Sequence, residues 1–378
     1  MTVFERIKHM LIKEFIQIFR DPRMKGVIFI VPIIQLLLFG YAVTTDVKNV
    51  TTALYDLDNS VASRELASRF EKSGYFQVVE RVGNDARARE LLDRADAQAI
   101  LRMNKGFGER IAAGKTAELQ IIFDGADSNT ARIALSYATR IAYQHSQQIT
   151  MSRAERLQGA AFRPGGFELQ SRAWFNDNLE SRNFYIPGVI ALLVLLITLM
   201  LTGMAIVREK EIGTMEQIMV TPIRPFEFIL GKTAPFALIG FIDVILITVV
   251  GVYWFKAPIR GSIPLLFFAT SLFLMTSLGA GLLISTVSRT QQQAMMATFF
   301  FFFPAQLLSG FMFPIRNMPL AVQYLTYINP MRYFLVILRG IFLKGVGFDI
   351  LWPQMAALAV MGVVTLALSM RRFKKTMA

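Results

Sequence analysis

The 378-residue chain contains no cysteine. A disulfide-stapled secreted domain, a c-type haem site and a Cys-based metal centre are therefore excluded. Histidine is nearly absent, with His9 and His145 the whole complement. Charge is scarce too: 18% of residues are Asp, Glu, Lys or Arg, against roughly 25% in soluble domains. The scarcity is local. No charged residue occurs in Gly26–Thr45, Asn183–Val207, Gly261–Ser288, Thr290–Ile315 or Ile350–Met370, and Thr233–Phe255 holds only Asp243. About 20 apolar residues cross a bilayer core of ~30 Å. A soluble enzyme and a disordered chain are thereby excluded.

What is present fits a membrane. Hydrophobic residues make up 54% of the chain and the mean hydropathy is +0.45. The net charge of +13 invites a nucleic-acid reading, but residues 46–183 carry only +1 of it. The remainder flanks the apolar windows, where basic residues anchor and orient spans. Nucleic acid is not an expected partner; membrane lipids are.

The expected fold is an α-helical integral membrane protein of six transmembrane helices, with an α/β extracytoplasmic domain between spans 1 and 2. Residues 1–25 read as an amphipathic interfacial helix, with Val3, Phe4, Ile7, Leu11, Ile12, Phe15, Ile18 and Phe19 mostly at helical spacing between charges. Span 1 covers 26–45. Residues 46–183 alternate short strand patterns, near 52–57, 77–82, 98–103 and 118–123, with helical ones. Residues 184–378 supply spans near 184–207, 234–255, 263–287, 293–313 and 350–370, a charged segment 208–232, and re-entrant or interfacial pieces within 314–349. Six spans place both termini on one side. The short loops on that side hold 15 Lys and Arg against 6 on the other, so both termini are expected in the cytoplasm and 46–183 outside it.

The candidate chemistry is thin. Gly108–Thr116, GERIAAGKT, approaches a phosphate-binding loop, but five residues separate its glycines where the motif needs four. Gly114 reads better as a helix terminator before a strand. His9 and His145 fall on opposite sides of the membrane and cannot share a metal. Asp56 with Asp58, and Asp124 with Asp127, suit turns and caps. No catalytic set emerges, so an enzyme is not expected. Asp243 is the one acid within a span. It either lines a translocation path or proton relay, is hydrogen-bonded between helices, or lies near a bilayer edge. In the run Phe299–Phe303, Phe301 and Phe302, with Gln306 beyond them, either line a path for an apolar solute or simply pack. Ser277, Gly279, Ala280 and Gly281 form a small-residue face suited to close helix approach. In 208–232, Glu209, Glu211, Gly213, Thr214 and Glu216 precede Ile218–Val220 and Pro222. Glu209 and Glu216 share a helix face, and Ile212, Met215 and Met219 form one apolar stripe. That pattern reads either as a docking surface for a soluble partner or as a solvated linker.

Three segments carry a resemblance: KEFIQIFRDPR (Lys13–Arg23), REKEIGTMEQIMVTPI (Arg208–Ile223) and NPMRYFLVILRGIFLKG (Asn329–Gly345). With DGADSNTA (Asp124–Ala131), they make nearly the whole chain similar to permease subunits of ABC-2 type ABC exporters. The subgroup it resembles is the bacterial multidrug-type permeases encoded with an ATPase and a membrane-fusion protein. The resemblance implies a coupling helix near Glu209–Val220 seated in a groove of an ABC ATPase, which the N-terminal helix also touches. It implies a second permease, self or paralogue, a periplasmic membrane-fusion adaptor, and residence in the bacterial inner membrane. This chain would hold no cofactor, ATP and Mg being held by the partner ATPase. The solute would be hydrophobic or amphipathic and drug-like. Export of a lipid, glycan or other cell-envelope component is the first alternative. A membrane receptor or scaffold with a ligand-binding ectodomain is the second.

Overall fold

The charges and apolar residues of the N-terminus sort onto opposite faces of a helix, Val3–Arg20, and Pro22 opens a new helical segment after it. The computed structural model describes residues 3–20, 22–42, 47, 49–158, 174–176, 180–216 and 224–376. The chain is mostly helical and divides into two units, Met1–Thr44 with Arg172–Ala378, and Thr45–Ser171.

In the first unit, four helices among the described residues are long and apolar enough to cross a membrane: Ser181–Ile212, Phe226–Tyr253, Ile263–Val287 and Phe348–Arg372. Two expected spans are shorter than their charge-free windows. Ile28–Tyr41 is a short apolar helix, entered through a π turn at Gly26–Ile30. Gln291–Leu307 has 17 residues, about 26 Å, against a core of ~30 Å. Its window reaches Ile315, but the chain turns first: the Ser309 hydroxyl donates to the Gln306 carbonyl at 2.6 Å and accepts from the Phe311 N–H at 3.1 Å. Absence of charge measures apolarity, not helix length. Within 314–349 the pieces Ile315–Asn317, Leu320–Leu325 and Pro330–Arg339 each begin at a proline that caps or opens them, Pro314, Pro319 and Pro330.

Ser181–Ile212 is the most enclosed of these helices. Ile263–Val287 packs between it and the C-terminal helix Phe348–Thr376, using small residues on both sides. Toward Ser181–Ile212, the Thr198 hydroxyl donates to Ser277 Oγ at 3.0 Å, and Ser285 Oγ accepts from the Ile206 and Val207 N–H groups at 3.0 and 3.2 Å. Toward the C-terminal helix, the Ser369 hydroxyl donates to the Gly279 carbonyl at 2.8 Å. Apolar burial drives no helix association in lipid, so close packing and such hydrogen bonds carry it.

The second unit is a four-stranded sheet of order β2-β1-β3-β4, formed by β1 (Val50–Asp56), β2 (Phe76–Arg81), β3 (Ala99–Met103) and β4 (Leu119–Phe123). β1 runs parallel to β2 and β3, and β4 antiparallel to β3. Alternate residues serve opposite faces. Val50 and Leu54 join one core with Leu101, Phe70 and Phe107, while Ala53 and Tyr55 join another with Leu91 and Ile100. The helices are Val61–Lys72, Asp85–Asp93, Phe107–Ala112 and Ser128–Gln158. The acid pairs are structural. Asp56 accepts from the Asp58 and Asn59 N–H groups, Asp58 from those of Gly106 and Gly108, and Asp127 from that of Thr130. The GERIAAGKT segment is helix, closed by Gly114 at φ +74 with the Lys115 N–H donating to the Arg110 carbonyl and the Gly114 N–H to that of Ile111. That Schellman closure occupies the backbone groups a phosphate cradle would need.

Candidate functional site

Glu14 stands at helical spacing with Ile7, Leu11 and Ile18 on Val3–Arg20, within the stripe that should be apolar. Lys232 stands likewise between Phe228 and Phe236 on Pro225–Tyr253. Each resolves the other. Lys232 Nζ lies 2.6 Å from Glu14 Oε1 and 2.7 Å from Glu209 Oε1, with both pairs nearly solvent-free. Lys13 Nζ approaches Glu209 Oε1 from the outer side at 3.0 Å. The Thr214 hydroxyl donates to Glu209 Oε2. Beside this node, Arg6 pairs with the buried Glu227 at 3.5 Å. Glu209 ends Ser181–Ile212, so the N-terminal helix and two long helices are bolted together at one end of the unit by charge. Buried pairs of this kind are held by geometry and cost much when one partner is lost.

The segment predicted for docking is only partly presented. Glu209 is 3% exposed and Met215 8% exposed, contrary to the expectation that Glu209 and Met215 face a partner. Met215 packs with Ile206, Phe228, Ile229 and Leu282. Gly213 ends the helix at φ +81, so Ile212 and Met215 leave the shared stripe that continuous helix would give them. Ile212 remains 60% exposed, and Glu211 and Glu216 are exposed. Glu211 accepts from the Gln291 N–H at 2.9 Å and from its side-chain amide. The Lys210 ammonium donates to the Thr286 carbonyl at 3.2 Å. The turn after Ile263–Val287 is thereby tied to the same base. Met219 lies outside the described residues.

Asp243 is wholly buried, and neither carboxylate oxygen has a hydrogen-bond partner among the described residues. It falls eleven positions after Lys232 and eleven before Trp254 on Pro225–Tyr253 and its cap, about 16 Å from each along the axis. Trp254 donates to the Tyr41 hydroxyl at 2.8 Å, and Tyr41 packs on Phe255, an aromatic cluster of the kind found at membrane interfaces. Asp243 is therefore midway between a charged end and an aromatic end. No hydrogen bond between helices holds the carboxylate among the described residues. We expect Asp243→Asn to leave membrane abundance unchanged, since no bond is lost, and to lower transport about tenfold, ~1.4 kcal/mol. Solute efflux normalised to abundance measures it, and wild-type efflux would remove Asp243 from the path. Phe302 is 4% exposed and packs in the core, while Phe301 is 38% exposed. The Gln306 amide meets Met312 Sδ at 3.6 Å. The helix carrying them and the helix carrying Asp243 both pack on Ser181–Ile212. The candidates thus flank one central helix rather than share one formed cavity.

Glu14, Lys13 and Lys232 escaped the sequence reading, although a charge set inside each of two apolar stripes was a signal for Glu14 and Lys232.

Long apolar helices joined at one end by buried charge make the framework of a multi-pass membrane protein. The family described as "ABC-2 family transporter protein" matches residues 26–371. The chain belongs to that family: it is an ABC-2 type permease, a transport subunit and not itself an enzyme. It is 32% identical over 373 residues to the probable multidrug ABC transporter permease YbhR of Escherichia coli K12, covering 99% of both chains. It is 34% identical over 347 residues to the probable multidrug ABC transporter permease YbhS of the same strain, covering 90% of this chain and 89% of that one. The inner membrane transport permease YhhJ, also of that strain, is 27% identical over 329 residues, or 86% and 85% of the two chains.

Proposed function

We propose that this chain is the membrane-embedded half of an ATP-driven exporter of hydrophobic or amphipathic, drug-like solutes. Six spans carry it, Ile28–Tyr41 and Gln291–Leu307 being the two short ones. It works with a second permease, self or paralogue, and with ABC ATPase subunits that hold ATP and Mg. The observation that carries the reading is the ionic node of Glu14, Glu209 and Lys232. A push on the exposed Ile212 and Glu216 reaches the N-terminal helix, Ser181–Ile212 and Pro225–Tyr253 together. An ATPase whose nucleotide states grip that tip differently would shift the permease between states. The multidrug names of the relatives support the solute class, and the same likeness supports residence in a bacterial inner membrane. A periplasmic adaptor would receive the solute.

With a co-expressed ABC ATPase, Ile212→Asp should lower co-purification about tenfold, because it puts charge into an apolar contact worth ~1.4 kcal/mol. Glu216→Arg should act more weakly, since exposed pairs contribute ~0–1 kcal/mol. Solute-stimulated hydrolysis should fall in parallel while permease abundance holds. Unchanged association in Ile212→Asp would place the docking surface elsewhere. The 15-to-6 distribution of Lys and Arg supports cytoplasmic termini and an external α/β unit. The chain has no native cysteine, so single cysteines at the exposed Ser128 and Arg289 report directly. An impermeant thiol reagent, with any outer membrane permeabilised, should label position 128 in intact cells and leave 289 unlabelled. The opposite pattern inverts the topology.

A further inference from the structure

The helix Phe107–Ala112, the chain leading into β4, and one face of Ser128–Gln158 line a half-open cavity of about 470 Å³ in the α/β unit. That is within the range of small-molecule pockets, roughly 300–1,000 Å³. Its walls combine an apolar part, with Leu66, Phe107, Ile111, Leu119 and Ile149, and a polar part. Two features set it apart from ordinary loose packing.

The first is His145. It lines the cavity, is 5% exposed, and neither ring nitrogen has a hydrogen-bond partner among the described residues. An unpaired buried polar group is costly, and a bound molecule's hydroxyl or carbonyl would offset that cost. Burial, reinforced by the Arg69 charge and opposed by Glu65, holds its pKa below the usual 6.5. The ring is thus a neutral donor and acceptor, suited to a polar but uncharged group.

The second is the sign of the remaining charge. Among the described residues the cavity is lined by Lys115 and Arg153 and by no Asp or Glu. Arg153 is held in place: its Nη2 donates to the Ala112 carbonyl at 2.8 Å, and its guanidinium passes over Gly114 so closely that a Cβ there would stand 2.4 Å from Nη1. That bond and one from Nη1 to the Ile111 carbonyl at 3.5 Å use two of its five N–H donors, and three remain. Lys115 is exposed beside it, so the cationic groups are more open to water than the imidazole.

We propose that this cavity is a binding site for an amphipathic monocarboxylate, its chain among the apolar residues, its carboxylate on Lys115 and Arg153, and a polar group of its body on His145. The site belongs to the α/β unit alone and stands whether or not the transport reading holds.

The test uses the full-length chain in lipid nanodiscs and a fatty acid bearing an alkyl diazirine. After irradiation, peptide mass spectrometry locates the adducts. Adducts should concentrate in peptides spanning 107–119 and 142–153, and dodecanoate should compete them away while dodecyltrimethylammonium does not. Lys115→Glu, at an exposed position that leaves the core intact, should reduce these adducts about fivefold, as one exposed charge reversal allows. Ile149→Trp, which fills the cavity, should reduce them further. Adducts spread over the apolar helices without preference for these peptides would overturn the proposal. So would equal competition by the cationic amphiphile, or labelling unchanged in Lys115→Glu.

Discussion

Lys232→Leu is expected to destabilise the permease by ~3–5 kcal/mol, the range found when one member of a buried ion pair is removed. Lys232 is 2% exposed and is the cation within 2.7 Å of both Glu14 and Glu209. Its loss leaves two carboxylates inside the base. Glu209 keeps Lys13 and Thr214, but Lys13 is half exposed and its charge is screened by water. Glu14, 4% exposed, is left facing a second acid. The expected readouts are a lower thermal unfolding midpoint in detergent and reduced abundance in the membrane. The combination Lys232→Leu, Glu14→Gln and Glu209→Gln should recover most of the loss, because replacing a whole buried charge group is far cheaper than breaking it. A Lys232→Leu protein as stable as the parent would mean that the node is wet or dispensable. Stability regained in the triple variant without transport would separate the coupling role of the charges from their structural one.

The parts of this molecule visible in the sequence are those fixed by local periodicity. The charge-free windows, with Thr233–Phe255 and its single Asp243, located the long apolar helices, and each strand of the α/β unit lies within two residues of its pattern, because alternation and turn residues act over a few positions. Helix Val61–Lys72 is announced by Ser60, whose hydroxyl accepts from the Ser63 N–H at 3.1 Å. What escaped depends on distant partners. Glu209 reads as a solvated acid in a charged loop until Lys232, 23 positions on, and Glu14, from the first turns of the chain, arrive beside it. Met215 reads as part of a docking stripe until Gly213 turns the chain and delivers it to Phe228 and Leu282. His145 is one unremarkable residue on a long polar helix, and only the fold gives it a cavity. The small-residue face at Ser277–Gly281 lies between these cases: its use for close packing was legible, but not which helices it would meet.

That face yields the second large effect, with Gly281→Leu expected to lose stability at or above the upper end of the ~1–3 kcal/mol usual for overpacking. A Cβ built on Gly281 would lie 2.2 Å from Thr202 Oγ1, 2.8 Å from Thr202 Cβ and 3.2 Å from the Leu199 carbonyl oxygen. The neighbour cannot swing aside cheaply, because the Thr202 hydroxyl donates back to the Thr198 carbonyl within its own helix and Thr198 in turn holds Ser277. Moving the whole helix would stretch that bond and the two that Ser285 accepts from Ile206 and Val207. Lipid offers nothing in return, since an added side chain at the seam gains no burial over one in the bilayer. Gly281→Ala should already show a smaller loss. Thr202→Gly in the Gly281→Ala background should restore most of it, whereas Thr202→Ser, which keeps both clashing atoms, should not. Gly26→Leu, where a Cβ meets nothing within 4 Å among the described residues, is the control and should be near neutral. Unfolding midpoints for the five variants measure the pattern. Equal tolerance of leucine at 26 and 281 would show that Ser181–Ile212 and Ile263–Val287 do not approach at Gly281, and the seam that positions the Glu209 end of the bundle would have to be drawn elsewhere.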